Sequence, residues 1–262
     1  MPEIFNLTVA KALPATIVAG QTTMVNAANL LTLQPGEKAS ATNATGKVTI
    51  DLGAAVDFRQ VALLYTSHDT VDDYFMIKAG SDPTMVTGVV LNTGIITLPQ
   101  QALTRPSGQR HHFYHHLAGN VTARYVQITI GNNGVDLVTM GRLFVGSVLQ
   151  LEYNVDYKET SWGYDEADEG EELESGVEVL VEKMPRPVLN FTATWVTQEE
   201  MDAGWEELGR LQYEGTPVLV ARRPDPHSGR HNGLYYGRLR MVPVVAAEFD
   251  MFEVQGRIRS MI

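Results

Sequence analysis

Residues 123–130 read ARYVQITI, with Arg124, Val126, Ile128 and Ile130 pointing one way and Tyr125, Gln127 and Thr129 the other. A period of two carried by β-branched residues predicts a strand with one face on a core. The signature recurs through the first half at 48–53 (VTIDLG), 60–65 (QVALLY), 74–79 (YFMIKA), 86–91 and 141–146 (GRLFVG). A polar turn at 54–58, a loop at 66–73 and a Gly-Ser-Asp-Pro turn at 80–83 separate these runs. Many short strands between turn residues predict a sandwich or barrel, and no amphipathic helix interrupts them.

After residue 146 the pattern changes. The run 147–157 (SVLQLEYNVDY) reads as a connecting strand, and 177–181 and 188–195 alternate again, with Leu189, Phe191, Ala193 and Trp195 on one face. Pro185 and Pro187 between them suit a turn or an exposed edge. One helix is predicted near 197–212. Thr197 is its N-cap, and Glu200 three residues on completes a capping box. Met201, Trp205, Leu208 and then Leu211 or Gln212 recur at helical spacing as a packing face, leaving Glu206, Glu207 and Arg210 outward. Gly215 and Pro217 end it. A buried strand follows at 217–221, then a Pro/Gly-rich loop at 222–233 and closing strands at 234–242 and 249–258. In 234–242, Tyr235, Gly237, Leu239 and Met241 share one face; Tyr236, Arg238 and Arg240 share the other.

Charge divides the chain as sharply as pattern does. Of 262 residues, 1–149 hold 9 Lys+Arg against 9 Asp+Glu, while 150–262 hold 11 against 22 and carry the whole net charge of −11. Such halves predict two domains, 1–148 and 149–262. An acidic protein without a basic stripe is a poor candidate for gripping nucleic acid through phosphates. No apolar run approaches the ~20 residues of a membrane-spanning helix, so no membrane insertion is expected. The first twenty residues lack a basic start, and Pro14 breaks their apolar run, so no secretory signal is expected. The absence of cysteine removes disulfides and thiolate metal sites and fits a reducing cytoplasm.

Three clusters suggest chemistry. Residues 110–117 (RHHFYHHL) place His111/His115 and His112/His116 four apart, a zinc-like spacing on a helix. On a strand the same residues split between two faces, and no HExxH glutamate accompanies them. The strand is favoured and no metal is assigned. The run 164–174 (YDEADEGEELE) holds seven acids in the ten positions from Asp165, but its spacing is not that of a calcium-binding EF-hand loop. It reads as a solvated, self-repelling loop, with Trp162 and Tyr164 beside it as anchors on a neighbouring subunit. Arg222, Arg223, Arg230 and His231 form a basic cluster suited to binding an anion or, the favoured reading, to pairing with acidic surfaces of adjacent subunits. No GxSxG elbow, phosphate loop, GxGxxG or cysteine nucleophile is present, and Asp51 stands alone as a carboxylate. A non-enzyme without cofactor is expected.

The VTIDLG run, the ARYV strand and the closing GRLFVG strand together resemble the discoidin (coagulation factor 5/8 type C-like) domain over about residues 25–147. The resemblance implies a jelly-roll β-sandwich, followed here by a second β-rich domain with one helix. It also implies sugar or lipid-headgroup binding through loops at one end. The candidate loops are 66–73, with His68, Asp69 and Asp72, and 132–136, with Asn132 and Asn133; Tyr65 and Tyr74 flank the first as possible stacking platforms. Over 186–262, Phe191, Trp195, Thr197, Glu200, Gly215, Pro217, Val218, Asp225, Pro226 and Gly237-Arg238-Leu239 resemble the terminal domain of tail-tip proteins of long-tailed bacteriophages. That resemblance implies a virion structural protein of the tail tip or baseplate, made in the host cytoplasm. It would form a homo-oligomeric ring with other tail proteins through Trp162, Tyr164, Arg222, Arg223, Arg238 and Arg240. The alternative expectation is a non-catalytic carbohydrate-binding protein that recognises host-surface glycans.

Overall fold

The computed structural model describes residues 7–41, 43–67, 74–97, 111–131, 138–150, 155–156, 158–165, 169–172, 178–181, 186–223, 233–242, 245–246 and 251–261. The chain forms two compact units, one of residues 8–148 with 223–234, the other of 1–7, 149–222 and 235–262. Antiparallel strands dominate both.

The first unit is a β-sandwich built from one bent ribbon. Thr45–Thr66 runs for 22 residues antiparallel to the 21-residue strand His111–Gly131. The register breaks between Asp51 and Val56, where Gly53 adopts φ +82° and its amide donates to the Asp51 carboxylate at 2.8 Å. The polar stretch expected to be a turn is therefore a bulge inside one continuous ribbon, which bends it without ending it. One half of the ribbon, 45–51 with 125–131, pairs with Tyr74–Gly80 and then Val89–Asn92. The other half, 56–66 with 111–123, pairs with Arg142–Gln150 and then Thr8–Ala12.

The alternation read in ARYVQITI decides which side is dry. Val126, Ile128 and Ile130 are buried with Val48, Ile50, Phe75 and Ile77 of the first layer and Val61, Leu63, Phe113, Leu143 and Val145 of the second. Phe75 meets Phe113 edge-on across the layers at 4.7 Å between ring centres. The expected strand at 86–91 is displaced to Val89–Asn92, leaving Val86 outside it and exposed.

The second unit has strand order Ser161–Asp165, Arg186–Thr197, Met251–Ser260, Leu234–Met241, Val218–Ala221. Its helix begins with the expected capping box: the Glu200 amide donates to Thr197 Oγ1 at 3.2 Å, and the Thr197 amide donates to Glu200 Oε2 at 2.9 Å. It runs through a π-helical turn at Met201–Trp205 into Glu206–Glu214, and Gly215 closes it at φ +69°. Met201, Trp205, Leu208 and Leu211 are all buried, as the helical spacing predicts. Trp195 departs from its expected face. A bulge between Ala193 and Val196 puts it at φ +68° and turns it out, 63% exposed.

Candidate functional site

The bend of the ribbon fixes where the loops go. Because the ribbon doubles back, both of its free ends, Thr45/Gly131 and Thr66/His111, lie at the same end of the sandwich, as the Phe75–Phe113 contact requires. Tyr74 pairs with Gly131, so the described strands flanking 68–73 and 132–137 meet there. At the other side of the same two segments, the Ser67 amide donates to the Thr139 carbonyl and the Thr139 amide donates to Ser67 Oγ, each at 3.0 Å. Segment 98–110 also leaves and returns here, since Ile96–Thr97 pairs with Phe75 and Tyr74 and His111 pairs with Thr66. Three connections thus share one end. His68, Asp69, Asp72, Asn132 and Asn133 lie in them and outside the described residues.

The rim of this end is described. Tyr65 is half-buried and held at φ +63°, a left-handed conformation that costs a non-glycine residue about 1–2 kcal/mol. Its amide donates to His112 Nδ1 at 2.9 Å, so that ring nitrogen is the acceptor. Lys38 Nζ stands 5.5 Å from the centre of the Tyr65 ring. Tyr74 is half-buried too, and its ring lies across Gly131, where a Cβ would meet the tyrosine Cζ at 2.6 Å. Neither tyrosine is a core residue. Both stand at the rim.

The opposite end, at the bend, is closed by charge. Arg124 Nε and Nη2 donate to the two oxygens of Asp51, each at 2.9 Å. The Asp51 carboxyl is held below its ordinary range, first by this Arg124 hydrogen bond, with desolvation opposing the shift and the Gly53 amide adding to it. A fork-to-fork pair of this kind fixes geometry and offers no vacant polar group to a ligand.

The histidine segment is a strand, so the helical zinc spacing does not arise. His112 is buried on the hydrogen bond just described, and His115 lies against Phe75, 6.2 Å between ring centres. Among the described residues no group of three or more histidine or acidic side chains could hold a metal ion.

In the second unit, Trp162 and Tyr164 are exposed on an edge strand. The Arg222 guanidinium stacks on the Trp162 ring at 4.0 Å. Buried Tyr235 has its phenol pKa raised, first by burial, while nearby Arg222 opposes the shift. Arg223 is half-buried beside Arg222. Arg238 Nε donates to the Gly215 carbonyl at 3.0 Å, and Arg240 is exposed two residues on. Arg222, Arg223, Arg238 and Arg240 are expected to act as one set. The structure separates them: Arg222 joins the Trp162 edge, whereas Arg238 and Arg240 belong to a sheet face.

No protein-family model matches the chain, and no curated protein matches it. Among solved structures it is similar to the CBM32 module of AlyQ in complex with 4,5-unsaturated mannuronic acid (20% identity, TM-score 0.36, covering 52% of this chain and 96% of that one). It is also similar to the C-terminal domain of a Bacteroides fragilis chitobiase (16% identity, TM-score 0.38, covering 53% and 98%). A third likeness is to the Ruminococcus gnavus GH29 fucosidase in complex with fucose (13% identity, TM-score 0.34, covering 46% of this chain and 22% of that one). The fold assignment rests on the ribbon and its register.

Proposed function

We propose that the N-terminal sandwich is a non-catalytic carbohydrate-binding module that takes a saccharide at its open end. The observation that carries this reading is that the described strand ends at Thr66, Tyr74, Thr97, His111, Gly131 and Thr139 meet at one rim, which also holds Tyr65. Flat sugar faces stack on aromatic rings while hydroxyls bond to loop amides and carboxamides, and the rim supplies the rings. Backbone strain at Tyr65 supports the assignment, since an aromatic held in the left-handed region must be fixed by its surroundings. The test is a glycan array with the full chain, repeated with Tyr65→Ala. Binding to at least one glycan, lost in the variant, is expected; an array with no binding sinks the proposal.

A second reading is favoured by the element order of the C-terminal unit. Strand, capped helix, short buried strand and two closing strands follow in the order that the tail-tip resemblance implies. On this reading the chain is a ring-forming structural protein of a phage tail, located in the virion, that displays the sandwich. Closed rings of the full chain in negative-stain micrographs are the expected result. Dispersed single particles at every concentration would count against it.

A further inference from the structure

The register of the C-terminal sheet gathers arginines that are remote in sequence. Arg238 pairs directly with Arg259, and Arg240 with Arg257. Val188 also pairs with Arg259, which places Arg186, two residues before it, on the same face. All five side chains are exposed. Like charges directly across a ladder destabilise a sheet, so this face is costly when nothing covers it. The described acids on it are Glu253, which bonds its neighbour Gln255, and Asp165. Asp165 serves two arginines, at 3.1 Å from Arg259 and 3.7 Å from Arg257.

Asp165 is also the first residue of the acidic run. Beyond its pairing with Arg186, Glu169–Glu172 and Glu178–Val181 pair in a two-stranded sheet of their own. Residues 166–182 hold eight Asp and Glu and no Lys or Arg. One chain therefore carries an arginine face and an acidic arm, and the one acid of the run seen on the face already uses the contact that the rest of the arm could repeat. We propose that the arginine face is a docking surface for the acidic arm of a second copy of this chain, a head-to-tail contact. The inference goes beyond carbohydrate binding and rests on charge complementarity within the chain.

The experiment is sedimentation velocity of the full chain at about 20 mM and about 0.5 M NaCl, between which the Debye length falls from roughly 20 Å to roughly 4 Å. Self-association at low salt, weakened at least tenfold at high salt, is expected. Arg257→Glu with Arg259→Glu, and separately Glu169→Lys with Glu171→Lys and Glu172→Lys, should each abolish it. Mixing the two variants should restore a heterodimer, because the reversed face then meets the reversed arm. Arg240→Glu, which leaves the Asp165 contacts intact, should weaken association without disturbing the fold. A monomer at low salt up to about 200 µM overturns the proposal. So does association that the arginine variants leave intact, as in an assembly held by another surface. Capture of an added polyanion such as heparin without self-association also overturns it.

Discussion

Arginine is used in opposite ways at the bend of the sandwich and on the face of the C-terminal sheet. At the bend, Arg124 is matched by one carboxylate of its own, with both Asp51 oxygens at 2.9 Å. On the sheet, Arg238 and Arg240 face Arg259 and Arg257, and the single carboxylate of Asp165 serves two of them. The first arrangement finishes the surface locally. The second leaves a field directed outward, and fields of that kind steer partners more than they stabilise folds. The open end of the sandwich differs from both, because the half-buried rings of Tyr65 and Tyr74 stand on its rim.

The largest effects should come from the two cores. Phe113→Ala in the sandwich and Trp205→Ala in the C-terminal unit should each cost roughly 3–5 kcal/mol, read as a fall in the denaturation midpoint. Both rings are almost fully buried, Phe113 against Phe75 and Trp205 against Phe191. A loss of less than about 1 kcal/mol at either would mean that the ring is not the keystone of its unit.

Next comes the rim. Glycine is ordinarily the poorer strand residue, but the left-handed conformation of Tyr65 reverses the order. Tyr65→Gly should be more stable than Tyr65→Ala by about 1 kcal/mol in chemical denaturation, while both lose saccharide affinity. If the alanine variant is the more stable, the strain at this position is absent. Thr197→Ala should cost about 1 kcal/mol through loss of the helix cap and leave saccharide binding unchanged.

The smallest effect is a pH response in the 81–88 turn. Hydrogen bonds from the Thr84 hydroxyl and amide, and then from Thr87, hold the Asp82 carboxyl at about 2 against an ordinary 3.8. A depressed carboxyl stabilises above its unfolded value and loses that contribution as the pH falls towards the folded one. The Thr84 and Thr87 amide resonances should therefore shift with a midpoint near 2. A midpoint near 3.8 would show that the turn is open in solution.

Much of this was legible from pattern alone, because burial on one side imposes alternation on a strand and a stripe on a helix. Val126, Ile128 and Ile130, the capping box at Thr197 and Glu200, and the packing stripe from Met201 to Leu211 all stand where the spacing puts them, whereas Arg124, expected on the same face as Val126, is exposed on Asp51 at the bulge. The bulge at Asp51–Val56 looks like a turn in sequence, since a bulge and a turn share glycine and polar residues. Alternation puts Trp195 on the core face because it counts residues, and the bulge changes the count. The arginine face was invisible for a related reason: its members are spread from Arg186 to Arg259, and only strand register makes them neighbours. Tyr65 and Tyr74 were visible as flanks of a loop, but their shared end depends on a ribbon that folds back on itself.

Amide chemical-shift mapping of the full chain with a saccharide selected on the array tests the assignment of the open end most directly. Shifts clustered at Tyr65, Ser67, Tyr74, Gly131 and Thr139, with Gly53 and Arg124 at the bend unmoved, are predicted. Shifts centred on the bend, or none at saturating sugar, would contradict it.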